Sequence, residues 1–377
     1  MSTVSVIIPE MTLQGNPLVS VVMSVFNGER FLREAIESIL SQTFSDFEFV
    51  IVNDGSTDGT ASILDSYERS DPRVRVFHQE NRGSAASDNR GCALARGKYI
   101  AHLDQDDVAP PDRLDRQVAF LENHEKVGLL GGAVEGIDDQ GRRLFLEQLP
   151  LEDASIRAAL RSFSFPLVHP ALMMRKQAFD ATVGYRAQFL RAEDYDLSLR
   201  IIEGWEVANL PDVVLRKRIH SKQLTMCDSR QQMLSVLGAH ALSLVRLDHS
   251  IEPTCREPVI SEGFLEELGV SQTSRQRVLV NGYVHLIGLM SRASQDDAVL
   301  RLFEELIDLS RSSPVDRFTL SNAMLSAARS HYRRGSPVRA LVYVGRAFLT
   351  RPVVAGRPLR RAVNSFFRRF KGEKRRA

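Results

Sequence analysis

Cysteine is scarce in this sequence: three residues, Cys92, Cys227 and Cys255, among 377. None forms a C-x-x-C pair and none stands near histidines at zinc-ligand spacing. That argues against a disulfide framework or a structural zinc site and fits a reducing compartment. No run of 18 apolar residues occurs, so no membrane-spanning helix is expected. The opening MSTVSVIIPEMTLQG lacks a basic stretch and holds only a short apolar run, so no secretory signal is expected. No G-x-x-x-x-G-K-[ST] occurs, which excludes a P-loop kinase or ATPase. Charge of one sign is missing overall, at net +2, but it is unevenly spread. Residues 351–377 carry ten Lys/Arg against one acid, Glu373, a net of +9, and leave −7 on the rest.

What is present is an alternation of strand and helix signals. Residues 18–25 (LVSVVMSV) form an apolar, β-branched run suited to a strand buried on both faces. Residues 29–42 place Phe31, Leu32, Ala35, Ile36, Ile39 and Leu40 at helical spacing. Strand signals recur at 47–52, 74–77, 99–103 and 127–134, and helix signals at 61–70, 84–95 and 112–123. This order indicates an α/β fold, a mainly parallel sheet with helices on both faces. Ligands bind such sheets beyond the carboxyl ends of the strands. Three polar clusters fall there: Phe26-Asn27-Gly28, Asn53-Asp54-Gly55-Ser56 and Asp104-Gln105-Asp106-Asp107. After a hairpin-turn signal at Asp138-Asp139-Gln140-Gly141, strands at 167–174 and 207–219 flank a helix at 193–203. From about residue 226 the pattern is helical, at 231–245, 274–290, 297–309, 319–334 and 337–349.

The densest chemistry lies in YIAHLDQDD. Crowded carboxylates repel one another, so something positive should stand among them. Their hard oxygens suit Mg²⁺ or Mn²⁺, which proteins hold with one or two carboxylates plus substrate phosphates. The alternative is a solvated acidic turn that caps the next helix. NDGSTDG reads equally as a helix-capping turn or as a loop whose Asp54 accepts from a base N–H or a ribose hydroxyl. Met173, Met174 and Trp205 are read as core packing.

Taken together, SVVMSVFNGERFLREAIESILSQTFSDFEFVIVNDGSTDGT, QENRGSAASDNRGCALARGKYIAHLDQDD and EDYDLSLRI resemble family 2 glycosyltransferases of the GT-A fold over residues 18–224. The resemblance implies a nucleotide-sugar donor, usually a divalent metal, and inversion at the anomeric carbon. It implies that Phe26, Asn27 and Glu29 line the nucleotide pocket and that Asp54 reads the base. Asn81, Arg82, Gly83, Asn89, Arg90 and Gln105 fall to the donor site. Asp104 would touch the ribose or metal, Asp106 would be the metal ligand, and Asp107 would lie near the donor sugar. In Glu193-Asp194 the aspartate would be the general base. Arg218 and His220 match a segment that often reads Y-R-x-H, with Lys217 in the tyrosine's place. They would meet the diphosphate or metal, with His220 a third metal ligand. His169 matches a pattern near the acceptor.

The chain is thus expected to divide into an extension (1–17), a GT-A domain (18–224), a helical region (225–350) and a basic tail (351–377). In the tail Leu359, Ala362, Val363, Phe366, Phe367 and Phe370 recur at helical spacing among arginines, which suits an anionic membrane surface. A helix packed on the body is the alternative, and nothing accompanies the charge to indicate nucleic acid. The expected function is metal-dependent inverting transfer from a nucleotide-sugar, UDP favoured, to a glycan or lipid-linked acceptor. The expected place is the cytoplasmic face of the membrane. A catalytically weak nucleotide-sugar-binding scaffold is the alternative, and the helical region is open to acceptor binding, a partner or a homo-oligomer.

Overall fold

The apolar runs become eight strands of one sheet: β1 (Val19–Val25), β2 (Phe47–Asp54), β3 (Val74–Gln79), β4 (Tyr99–His102), β5 (Val127–Ile137), β6 (Arg143–Glu147), β7 (Met173–Arg175) and β8 (Glu206–Arg218). The order is β3-β2-β1-β4-β7-β5-β6, with β8 also on β5. The first four strands are parallel, β7 is antiparallel to both neighbours, and β8 is parallel to β5. The helices α1 (Leu32–Leu40), α2 (Thr60–Ser70), α3 (Ser84–Leu94), α4 (Arg113–Asn123), α5 (Asp153–Arg161), α6 (Lys176–Asp180) and α7 (Glu193–Gly204) connect them. After the sheet come α8 (Ser229–His249), α9 (Glu262–Glu267), α10 (Gln272–Arg292), α11 (Asp296–Ser312), α12 (Arg317–Arg333) and α13 (Pro337–Thr350). The structure, a computed structural model, describes residues 15–220, 228–249, 258–312 and 317–350. The basic tail, the start of the extension, Cys227 and Cys255 lie outside the described residues.

The period of two along β1 sends Val19, Val21 and Met23 to one core and Val22 to the other. Leu32, Leu64 and Leu114 from α1, α2 and α4 cover the first face. Ala85, Leu199 and Leu237 from α3, α7 and α8 cover the second. Gly91 lets α3 approach β1, since a Cβ there would stand 2.5 Å from Val22. A third cluster joins α10 to α13 around Leu302, Leu306 and Ala327, and Ile219 reaches it from the end of β8.

The strand expected over 167–174 is corrected. His169–Ala171 is a 3₁₀ turn, with Pro170 unable to donate to a ladder, and only Met173–Arg175 pairs. Met173 and Met174 are fully buried in opposite cores. No helix among the described residues is long and apolar enough to cross a membrane.

Two buried carboxylates hold the frame. Glu48 on β2 accepts from Ser20 Oγ (2.7 Å), Arg75 Nη1 (2.6 Å) and the Arg96 N–H (2.8 Å). Burial pushes its pKa up, but these donors win and hold the carboxyl below its ordinary 4.5. Asp196 on α7, fully buried, pairs with Arg186 and, at 2.8 Å, with Arg200. That pins α7 against the 184–186 turn.

Glu48→Gln should cost about 3 kcal/mol in urea unfolding at pH 7, because it leaves buried donors unmatched. The parent should lose stability as pH falls from 4.5 through the lowered folded value, and the variant should lack that part of the acid loss. Equal unfolding curves would contradict the assignment. Asp196→Ala should cost about 3–5 kcal/mol by stranding two buried guanidinium groups. A change under about 1 kcal/mol would show that the pair is not a buried anchor.

Candidate active site

Loops from the carboxyl ends of β1, β2 and β4 meet on one rim, stitched by side chains. Asn27, left-handed at φ 50°, accepts from the Thr57 N–H (2.8 Å), and its own N–H donates to Ser56 Oγ (3.0 Å). Glu29 accepts from the Gly59 N–H (3.0 Å). Gln105 brackets Phe26, accepting from its N–H (2.9 Å) and donating to its carbonyl (3.1 Å). Asn27, Glu29 and Gln105 thus bond to neighbouring loops, while Phe26 keeps 47% of its surface exposed at the rim.

Asp54 ends β2, buried. Its Oδ1 accepts from Gln79 Nε2 (2.7 Å) and the Arg82 N–H (2.8 Å), and its Oδ2 from the Gly83 N–H (2.9 Å). Gly55, at φ 74°, permits this closure, for a Cβ would stand 2.7 Å from the Asn81 nitrogen. Asn81, Arg82 and Gly83 are exposed beside it. Asn89 and Arg90 bond elsewhere. Asn89 exchanges two 2.8 Å hydrogen bonds with the Tyr185 backbone, and Arg90 donates to the His78 carbonyl (3.1 Å) and Gln79 Oε1 (2.9 Å).

Beyond β4, Asp104, Asp106 and Asp107 each offer an oxygen within 4.8 Å of the others. Asp107 is buried. Its Oδ1 accepts from the Arg218 N–H (2.8 Å), and its Oδ2 has no hydrogen-bond partner. Burial, then repulsion from Asp106 and Asp104, pushes Asp107 well above the usual carboxylate range. Burial also works against the charge on Asp104, but His169, Lys217 and Arg113 hold it below its ordinary value. Arg113 is fully buried, and its Nη2 donates to the His102 carbonyl (2.8 Å). Burial lowers Arg113 to about 10 against the pull of Asp107 and Asp104.

The Arg218 guanidinium faces the interior: Nε donates to the Asp106 carbonyl (2.9 Å), Nη1 to the Asp138 carbonyl (2.9 Å) and Nη2 to Glu34 (2.6 Å), with Phe31 stacked 4.5 Å away. These bonds tie it to the carboxylate loop and to Glu34 of α1. Asp107 joins the metal-capable cluster, while His220 Nε2 lies 2.8 Å from Asp106 Oδ2 and braces that carboxylate. Three hard-oxygen donors with an orphaned buried lone pair fit Mg²⁺ or Mn²⁺.

Across the rim, α7 opens with Glu193 and Asp194. Ser84 Oγ donates to Glu193 Oε1 (3.1 Å). Burial, with repulsion from Asp194 and Asp88, raises Glu193 to about 7. Among the described residues Asp194 is committed to no hydrogen bond. Asp88 of α3 is pushed by burial to about 6, with His169 and Ser24 opposing.

A buried relay lies between the two acidic groups. His169 Nδ1 is 3.8 Å from Asp104, its Nε2 is 3.0 Å from the Tyr185 hydroxyl, and that hydroxyl is 2.9 Å from His102 Nε2. Burial lowers His169, but Asp104, Asp88 and Asp194 raise it to about 9, whereas burial drives His102 well below its usual value. A protonated His169 therefore donates to Tyr185, which donates to His102. Asp88 and His102 are functional candidates that sequence reasoning missed, although they stand inside ASDNRG and YIAHLD. Arg113 and Tyr185 carry no local signal and reach the site only through the fold.

The Glycosyl transferase family 2 profile matches residues 20–183. An uncharacterized glycosyltransferase of Methanocaldococcus jannaschii is 34% identical over 224 residues, covering 58% of this chain and 76% of that protein. EpsE of Bacillus subtilis, assigned by name as a glycosyltransferase, is 37% identical over 213 residues, covering 55% and 74%. Among solved structures, S. aureus TarS 1–349 in complex with UDP-GlcNAc matches with a TM-score of 0.51 at 18% identity, covering 85% of this chain and 88% of that one. The mannosyltransferase PcManGT of Pyrobaculum calidifontis, in complex with GDP-Man and Mn²⁺, matches at 0.50 and 19%, covering 90% and 82%. With the mainly parallel sheet and its rim of loops, these likenesses establish that the chain belongs to glycosyl transferase family 2 and is a glycosyltransferase of the GT-A fold.

Proposed function

We propose that the protein transfers a sugar with inversion from a nucleoside-diphosphate donor, held with a divalent cation, to a hydroxyl of a glycan or lipid-linked acceptor. The observation that carries the reading is the three-carboxylate cluster with its unpartnered, buried Asp107 Oδ2. Asp104, Asp106 and Asp107 would hold the cation. When bound there it would neutralise charge developing on the leaving diphosphate.

The exposed Phe26 ring is suited to stack on a base. Among the described residues Asp54 Oδ2 accepts one hydrogen bond and retains acceptor capacity, which suits a base presenting a ring N–H, as uracil, thymine and guanine do. We favour uracil, and so UDP, among these bases; TarS, seen with UDP-GlcNAc, and PcManGT, seen with GDP-Man and Mn²⁺, share the fold. Asp194 is the base: it takes the acceptor proton as the hydroxyl oxygen bonds to C1. The C1–oxygen bond breaks and its electron pair leaves on the nucleoside diphosphate. Glu193 shares its proton with solvent near neutrality and tunes the neighbouring charge. The basic composition of 351–377 supports work at an anionic membrane face, in envelope or exported polysaccharide synthesis.

Asp194→Asn should lower kcat by about 10³ with donor KM little changed, the scale of a lost general base. Glu193→Gln should stay within about tenfold of the parent. The reverse ranking would make Glu193 the base. A carboxyl raised from 4.5 to about 7 loses folding stability as pH rises through that window. Glu193→Gln should therefore be the more stable protein at pH 8 in thermal melts, and a less stable variant would contradict the assigned strain. Asp106→Asn should raise the Mn²⁺ concentration for half-maximal turnover more than about tenfold, as loss of a charged ligand demands. An unchanged requirement would remove Asp106 from the metal site.

A further inference from the structure

The last described helix carries an apolar stripe that is exposed among the described residues. In α13, Val338 is 74% exposed, Leu341 49% and Val342 48%, at i, i+3 and i+4. The opposite side of the same helix is engaged. Ala340 and Ala347 are buried, the Ala347 carbonyl accepts from Ser321 Oγ (3.2 Å), and Tyr343 meets Phe303 edge-on at 5.3 Å. The stripe is therefore the outer face of a helix whose inner face already holds it to the body. The exposed residues interleaved with the stripe are Arg339, Gly345 and Arg346.

Charge decides what covers it. Residues 317–377 hold sixteen Lys/Arg and one acid, Glu373, a net of +15, which leaves −13 on residues 1–316. The stripe thus sits within the basic end of a strongly polarised chain. A second copy offering the same face would set arginine against arginine. The segment that follows, net +9, would repel it likewise. At 14 residues α13 is too short to span a bilayer. An apolar stripe flanked by arginines on a short helix matches the interface of an anionic bilayer, where side chains enter the acyl boundary and guanidinium groups meet headgroup phosphates.

We propose that the outer face of α13 is a membrane-docking surface that seats Val338, Leu341 and Val342 in an anionic lipid interface. It deepens the reading of a transferase working at a membrane and gives that contact a place on the folded body, apart from the tail.

The test is flotation of the full chain with phosphatidylcholine vesicles, with and without one-third phosphatidylglycerol, beside the triple variant V338S/L341S/V342S. All three residues are exposed, and unchanged thermal melting would show the fold intact. The parent should float only with anionic vesicles, and the variant should lose about tenfold in partitioning with its tail intact. Equal flotation of parent and variant would overturn the proposal. So would a parent dimer in light scattering that the variant turns to monomer while vesicle binding stays the same, since the stripe would then join two copies. Nucleotide-sugar binding, measured in the same preparations, should not differ between the two proteins. A parent that binds no nucleotide-sugar would count against the transferase reading and leave the flotation result to judge the docking face.

Discussion

Three carboxylates at the end of β4 stand within 4.8 Å of one another, and the rest of the fold supplies the charge that lets them do so. Uncompensated, such crowding would protonate them. Arg113 reaches them from inside the protein, at the start of α4. The end of β8 brings Lys217, Arg218 and His220 from more than a hundred residues away. An isolated bridge between Val108 and Arg216 locks that strand to the carboxylate loop. The second half of the sheet, β5 and β8, therefore works as the electrostatic partner of the first. Compensation is still incomplete, because Asp107 Oδ2 remains buried without a donor. A cluster compensated this far, with one buried oxygen bare, has room in its donor set for the proposed cation.

The acid pair on α7 is coupled to that cluster without touching it. Asp196 anchors the first turn of α7 to Arg186 and Arg200, which fixes where Glu193 and Asp194 emerge. Asp88 and His169 stand in the field of both acidic groups. His169, Tyr185 and His102 form one line of hydrogen bonds at its edge. One rim thus carries three clustered carboxylates, an Asp194 that makes no hydrogen bond among the described residues, and the His169–Tyr185–His102 line.

Much of this was legible in the residues. Apolar runs such as LVSVVMSV and FEFVIV give strands whatever surrounds them, and the rule that ligands bind at strand ends placed three polar loops on one rim. Polar atoms were harder to read. Asn27, Glu29, Gln105, Asn89 and Arg218 stand where a donor pocket is expected, yet their hydrogen bonds run to neighbouring loops, to the 185 backbone and into the core. A side chain's direction depends on partners remote in sequence, which no local pattern records. The same limit hid Arg113, whose role exists only once α4 lies under β4, and the break at His169–Ala171 inside an apolar stretch.

The most direct test of the central claim is calorimetric titration of the protein with UDP, and separately GDP, with and without Mn²⁺. The account expects one nucleotide to bind in the presence of the cation, with affinity falling more than about tenfold when the cation is removed, as for phosphates bridged to carboxylates. Equal binding with and without Mn²⁺ would contradict it, since the carboxylates at the end of β4 would then have no cation to share with the donor.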